Sequence, residues 1–316
     1  MFTRRVFSTL IHAIIVFTFA LGVSAQLRFP QPSQKASVMQ TVGVTDVTIV
    51  YSRPGVKGRK IFGDWPVAAP GEATLDDSDT RPAGAPIVPY GHIWRTGANN
   101  ATQFIVTDEV LINGQPLPAG TYSLHTIPGK DEWTIIFNSV ADQGGSFDYD
   151  PKKDVLRVKT KGEVSDRLNE WLDFSLDPAK ENSLVARINW EKVSVPFTIE
   201  VKDMLTVVLN KARAVVSAAK PDDWQTPFQA ANYARNNKAT DDAAKWYEQA
   251  LKAIDEQIKV KPTYQNLQRR ANTLLNAGRR EEGIAAAEKA LEAGKAEKAD
   301  TSALEKRIAE LKAAKK

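Results

Sequence analysis

Alternation of apolar and polar residues with a period of two dominates the first two thirds of this chain. Val193, Val195, Phe197, Ile199 and Val201 alternate with Ser194, Pro196, Thr198 and Glu200. That spacing puts the apolar set on one face of a strand. Leu184, Ala186, Ile188 and Trp190 form a second such run, and Leu172, Phe174 and Leu176 a third. Shorter runs are Val47-Ile49-Tyr51, Tyr122-Leu124 and Trp133-Ile135-Phe137, read at every second residue. Asn113-Gly114 between two short apolar runs predicts a two-residue hairpin turn. Pro118-Ala119-Gly120 and Pro128-Gly129-Lys130-Asp131 supply further turns. About nine short strands at roughly 8–12-residue spacing, with no helical segment between them, predict an antiparallel β-sandwich or barrel. Pro196 fits this scheme if its strand lies at a sheet edge. Residues 64–86 break the pattern with Pro, Gly, Ala and the acidic patch Asp76-Asp77-Ser78-Asp79, and predict a long exposed loop.

The period changes after residue 202. Residues 26–202 hold 14 Pro and 14 Gly against three of each in residues 203–316, which marks a domain boundary. Residues 203–220 read as helix, and Pro221 and Pro227 mark a break. An internal repeat follows at an offset of 40 residues. Trp246-Tyr247-Glu248-Gln249-Ala250-Leu251 matches Ala286-Ala287-Glu288-Lys289-Ala290-Leu291, with Asn237-Lys238 matching Ala277-Gly278 as the turn. These residues resemble the tetratricopeptide repeat, in which small residues let paired helices approach closely. The offset departs from the usual 34, and residues 254–270, with Pro262 inside, run longer than that family allows. Residues 301–316 predict a closing helix with Leu304, Ile308 and Leu311 on one face.

The N-terminus has its own pattern. A cationic start with Arg4 and Arg5 precedes an almost wholly apolar run over residues 6–21, and Val23-Ser24-Ala25 offers a small-residue cleavage site. This layout predicts a secretory signal peptide over residues 1–25, cleaved before Gln26, and a mature protein in the periplasm or outside the cell. An uncleaved anchor is the alternative, since 18 apolar residues are marginal for spanning a membrane. Thr3-Arg4-Arg5-Val6-Phe7 also resembles a twin-arginine export motif. After cleavage no membrane span is expected.

Composition then narrows the chemistry. The chain has no cysteine, which excludes disulfides, thiolate metal sites, cysteine nucleophiles and a lipidated cysteine. The formal charge of +4 resolves into two signal arginines, an acidic first domain and a basic tail with interspersed Glu and Asp. That is a solvated helical surface, and no nucleic-acid partner is expected. Only His92 and His125 remain after signal removal. No H-E-x-x-H, G-x-S-x-G or glycine-rich phosphate loop occurs. Asp148, Asp150 and Asp154 have a faint calcium-loop spacing, spoiled by Pro151 and Lys152-Lys153. No catalytic residue, metal site or cofactor is expected.

Two segments could hold a ligand. Residues 51–60 place Arg53, Arg59 and Lys60 in a glycine-containing loop suited to an anion. Residues 89–100 join Trp94, a flat apolar face, to Arg95 and Asn99, directed polar groups suited to a small polar or sugar-like ligand. Each also has a structural reading: a solvated basic turn for the first, a core Trp with loop-satisfying polar groups for the second.

These same residues carry a family resemblance. Thr41-Val42-Gly43, residues 47–63, Val88-Pro89-Tyr90-Gly91, residues 93–99, residues 113–124, residues 132–138 and Phe147-Asp148-Tyr149-Asp150-Pro151 resemble a secreted bacterial domain of unknown function, DUF 2911. The resemblance covers roughly residues 36–202. It implies export, a β-rich fold and, in some members, a helical repeat tail. It implies no activity, so no catalytic residue follows from it. Typical members pass almost directly from Ile61-Phe62-Gly63 to Pro89-Tyr90-Gly91, so residues 64–86 look like an insertion. Three readings of function remain. An exported, non-enzymatic binding module, with a protein partner on the helical repeats, ranks above a structural envelope protein. An exported hydrolase acting on a carbohydrate or other polar polymer ranks third.

Overall fold

A computed structural model describes residues 29–65 and 84–314. The expected signal peptide and most of the expected insertion, residues 64–86, lie outside these residues.

The expected antiparallel β-sandwich and all-α tail are both present. Twelve strands build the first part: β1 (Gln34–Val42), β2 (Thr45–Arg53), β3 (Phe62–Gly63), β4 (Val88–Pro89), β5 (Thr102–Val106), β6 (Val110–Ile112), β7 (Gln115–Leu117), β8 (Gly120–Ile127), β9 (Glu132–Asn138), β10 (Asp154–Lys161), β11 (Glu163–Lys180) and β12 (Ser183–Glu200). A six-stranded sheet runs β1-β2-β5-β8-β9-β10, and a four-stranded sheet runs β11-β12-β6-β7. Ile49, Phe104, Leu124 and Phe137 of the larger sheet and Ile112, Ala186, Ile188 and Phe197 of the smaller belong to one buried cluster. Phe137 meets Phe104 edge-on at 5.0 Å and Phe197 at 6.3 Å, so the aromatic contacts cross from one sheet to the other. At the Asn113-Gly114 turn both residues have positive φ, 46° and 81°, as a type I′ hairpin requires.

Three details differ from the sequence expectation. The runs that begin at Leu184 and Val193 join into one 18-residue strand, β12, and the run at 172–176 lies in an equally long β11, the two forming one long hairpin. Pro196 lies on an inner strand, not an edge. It is tolerated because β12 pairs with β11 up to Ser194 and with β6 only from Ile199, so Pro196 falls between the two ladders. Finally, β3 and β4 form a parallel pair, joined by Ile87 N–H to Lys60 O and Val88 N–H to Ile61 O.

Six helices follow: α1 (Met204–Ala218), α2 (Gln225–Asn236), α3 (Thr240–Val260), α4 (Tyr264–Asn276), α5 (Arg280–Ala296) and α6 (Ser302–Ala313). Asp203 caps α1 by accepting from Thr206 N–H. Pro227 does not break the chain. It sits in the first turn of α2, where a backbone N–H has no helical partner to lose. The 40-residue offset is visible in three dimensions. Lys238 (φ 63°) and Gly278 (φ 80°) occupy equivalent left-handed turns. Ala243, Trp246, Tyr247 and Ala250 are buried, as are Gly283, Ala286, Ala287 and Ala290. No described helix is long and apolar enough to cross a membrane.

Helix α1 is tied to the sandwich. Met204 and Val207 pack on the sandwich core. Lys211 donates to Val44 O and pairs with Asp108 at 2.7 Å.

Candidate functional site

Sheet pairing carries the large sheet's second face into a polar row. Val50 pairs with Gln103, Gln103 with Ser123, and Ser123 with Asn138. Alternation from Leu124 and Phe137 aims this row away from the sandwich core. The segment after β9 crosses it. Gln103 Nε2 donates to Ala141 O at 3.2 Å, Ala101 N–H donates to Gln143 O, and Asn100 Nδ2 donates to Asp142 at 3.3 Å.

Two environments result. Beneath the crossing segment is a closed polar core. Ser123 and His125 are fully buried, with Ser123 Oγ and His125 Nε2 3.2 Å apart. The His125 ring lies 5.1 Å from that of Tyr149. Tyr149 donates to Asp154 at 2.7 Å and Arg157 donates to both, so this network latches the segment onto β10. Burial, then the hydrogen bond to Asp154, pushes the Tyr149 hydroxyl well above its ordinary titration range. Asp154 is thereby saturated with donors, since Asn138 Nδ2 also reaches it at 2.8 Å. Asp150 accepts from Lys152 N–H in a short 3-10 turn, so the faint calcium spacing is occupied by local structure. Among the described residues no three His, Asp or Glu side chains converge as metal ligands.

Beside the crossing segment, the sheet opens into a cleft of about 300 Å³ between β1, β2, β5 and the loop before β5. Its polar lining includes the amides of Gln31, Asn99, Asn100 and Gln103, the Ser33 and Ser52 hydroxyls, and the charged Lys35 and Asp142. The loop is held in an unusual conformation. Thr96 and Asn99 have φ of 55° and 60°, uncommon for residues other than glycine and most costly for a β-branched one. Hydrogen bonds hold Thr96 there: its hydroxyl donates to Trp94 O and can accept from the Thr126 hydroxyl. Retained strain of this kind gathers at binding sites.

The candidate ligand residues scatter relative to this cleft. Asn99 lines it and donates to Ser33 O and Ser52 Oγ. Trp94 is buried, stacked on Trp190 at 5.6 Å, with its Nε1 donating to Gly97 O. Arg95 is half-buried beside it, with Thr102 N–H bonded to its carbonyl. Arg59 closes its own turn on the Gly55 and Val56 carbonyls. Arg53 donates to Leu172 O and lies 3.4 Å from Asp173, so it joins β2 to β11. Lys60 is exposed next to the β3 end. Arg53, Arg59 and Lys60 thus face different partners and do not converge on one anion. Of the residues that make the cleft with Asn99, Gln103 follows it closely in the chain, whereas Lys35 and Asp142 are distant in sequence. Only strand pairing and the crossing segment bring them together, so no local motif announces them.

No curated protein and no solved structure matches this chain. Residues 33–199, more than half of it and all of the sandwich strands but the last residue of β12, match the family described as "Protein of unknown function (DUF2911)". The chain belongs to the DUF2911 family.

Proposed function

We propose that this is an exported, non-enzymatic binding module of the cell envelope, with the cleft beside Asn99 as its ligand site. One observation carries the reading. The open cleft is lined by amides, hydroxyls and a single pair of opposite charges, whereas the histidine–serine contact lies fully buried under the segment that crosses the sheet. Fixed polar groups in a concavity suit recognition. A hydrolytic Ser–His pair has to meet its substrate, and Ser123 and His125 have no exposed surface with which to do so.

Export rests on the N-terminal sequence: the cationic start, the apolar run and the small residues before Gln26. The helical region is read as a short tetratricopeptide-like array for a protein partner. The equivalent turns at Lys238 and Gly278 and the buried small residues Ala250 and Ala290 support that reading.

A ligand screen by thermal shift, run beside a glycosidase and esterase substrate panel, tests the proposal. Stabilisation by a small polar compound, abolished by Gln103→Ala in a folded variant, is the expected result. Turnover lost on Ser123→Ala would overturn it in favour of a hydrolase.

A further inference from the structure

The hydrogen-bond directions around the cleft specify its ligand more narrowly. Asn99 Nδ2 donates to the Ser33 carbonyl at 3.1 Å, Gln103 Nε2 to the Ala141 carbonyl at 3.2 Å, and Asn100 Nδ2 to the Asp142 carboxylate at 3.3 Å. Carbonyl and carboxylate oxygens only accept, so each contact fixes which end of the amide is nitrogen. Asn99 has both amide hydrogens engaged, since it also donates to Ser52 Oγ, whereas Asn100 and Gln103 each have one of two engaged among the described residues. Their amide oxygens accept from no donor among the described residues. Asp142 is exposed and adds a charged acceptor.

One lining group has the opposite character. Lys35, exposed on β1, makes no ion pair among the described residues and brings the cleft's only positive charge. The lining thus joins one carboxylate and the outward amide oxygens to one cationic donor, among neutral groups that can both donate and accept. Its complement carries several N–H donors with a positive charge and, on the same small molecule, an anionic group. The volume, at the low end for ligand pockets, suits a small molecule. A bare metal ion suits the cleft less well, because one carboxylate offset by a lysine leaves little net negative charge to replace an ion's hydration.

Building on the binding reading above, we propose that the cleft takes a free α-amino acid, its ammonium group on the Asn99, Asn100, Gln103 and Asp142 oxygens and its carboxylate at Lys35. Isothermal titration of the purified protein with the twenty amino acids singly, their N-acetyl amides, and maltose as a neutral polyol tests this. At least one amino acid should bind, and its N-acetyl amide, which lacks both charges, should bind at least about tenfold more weakly. Asp142→Asn and Lys35→Gln should each weaken binding by about fivefold or more, with unchanged melting temperature. Binding of maltose but of no amino acid would overturn the zwitterion and leave the cleft as a ligand site. An amino acid whose affinity ignores Asp142→Asn, Lys35→Gln and Gln103→Ala would place the site elsewhere and overturn the inference. Absence of binding by every probe would overturn the inference together with the cleft reading on which it rests.

Discussion

The Sδ atom of Met204 lies 2.0 Å from the point where a Cβ on Gly43 would stand. Gly43 sits at φ +63° in the turn between β1 and β2, and Met204 is the first residue of α1. This contact is where the helical region presses on the sandwich. Gly43→Ala therefore combines a clash with a disfavoured backbone, and should cost about 1–3 kcal/mol in urea unfolding. Shortening the neighbour in Gly43→Ala/Met204→Ala should recover part of the loss relative to the sum of the single changes. Strict additivity of the two would show that the residues do not touch.

Acid should loosen the same junction. Burial raises the Asp108 carboxyl, but hydrogen bonds from Lys211, Thr45 and Thr107 outweigh it and hold the group below the usual carboxylate range. A carboxylate with a lowered pKa in the folded state adds stability above its unfolded value, near pH 4, and loses that stability as pH falls through the folded value. Lys211 is partly exposed, so the contribution is small and screened by salt. Amide exchange at Val207 and Leu209 should rise below about pH 4 in the parent. In Asp108→Asn it should already be raised at neutral pH, with little further acid dependence.

Alkali should act on the latch over the buried face. Tyr149 is held protonated above the ordinary tyrosine value, foremost by burial and next by its bond to Asp154. Tyr51, Tyr122 and Tyr247 are also raised, each chiefly by burial. Such a group stabilises fully below its unfolded pKa, near 10, and its contribution is lost as pH rises through the higher folded value. Stability should therefore decline above about pH 10. Tyr149→Phe should make that decline shallower in chemical denaturation, while lowering stability at neutral pH through loss of the Asp154 and Arg157 contacts.

The two equivalent helix turns should respond in opposite directions. Gly278 is suited to its φ of 80°, whereas Lys238 carries a side chain at 63°. Lys238→Gly should raise stability by up to about 1 kcal/mol, and Gly278→Ala should lower it by a similar amount. Equal effects of the same sign would show that the two turns are not equivalent.

Much of this architecture is legible in the sequence, and the departures have physical causes. Leu184, Ala186, Ile188 and Trp190 are buried at even positions, and Val195, Phe197, Ile199 and Val201 at odd ones. The phase slips near Glu191, whose φ of 53° lets one strand bend and continue where a sequence reading sees two. Alternation also suggests a single buried face for β8. His125 is nonetheless fully buried, because a polar, glycine-containing segment covers the second face and leaves no periodic trace. The continuous run Ile135-Ile136-Phe137 is the one local hint, since Ile136 pairs with His125 on the outward side. Asn99 belongs to a loop whose polarity marks it for binding. Lys35 and Asp142 reach it only through strand pairing and the crossing segment, at sequence separations that no window along the chain contains.

The parallel β3–β4 pair has a practical meaning. Hydrogen bonds from Ile87, Val88 and Tyr90 to Lys60, Ile61 and Gly63 clamp both ends of the intervening stretch side by side. With its ends already brought together, each doubling in the length of that stretch costs only about 0.6 kcal/mol of closure entropy. The sandwich core is thus closed on both sides of that stretch by the same pair of strands. A peptide tag or small domain spliced between residues 66 and 83 should leave the melting temperature nearly unchanged.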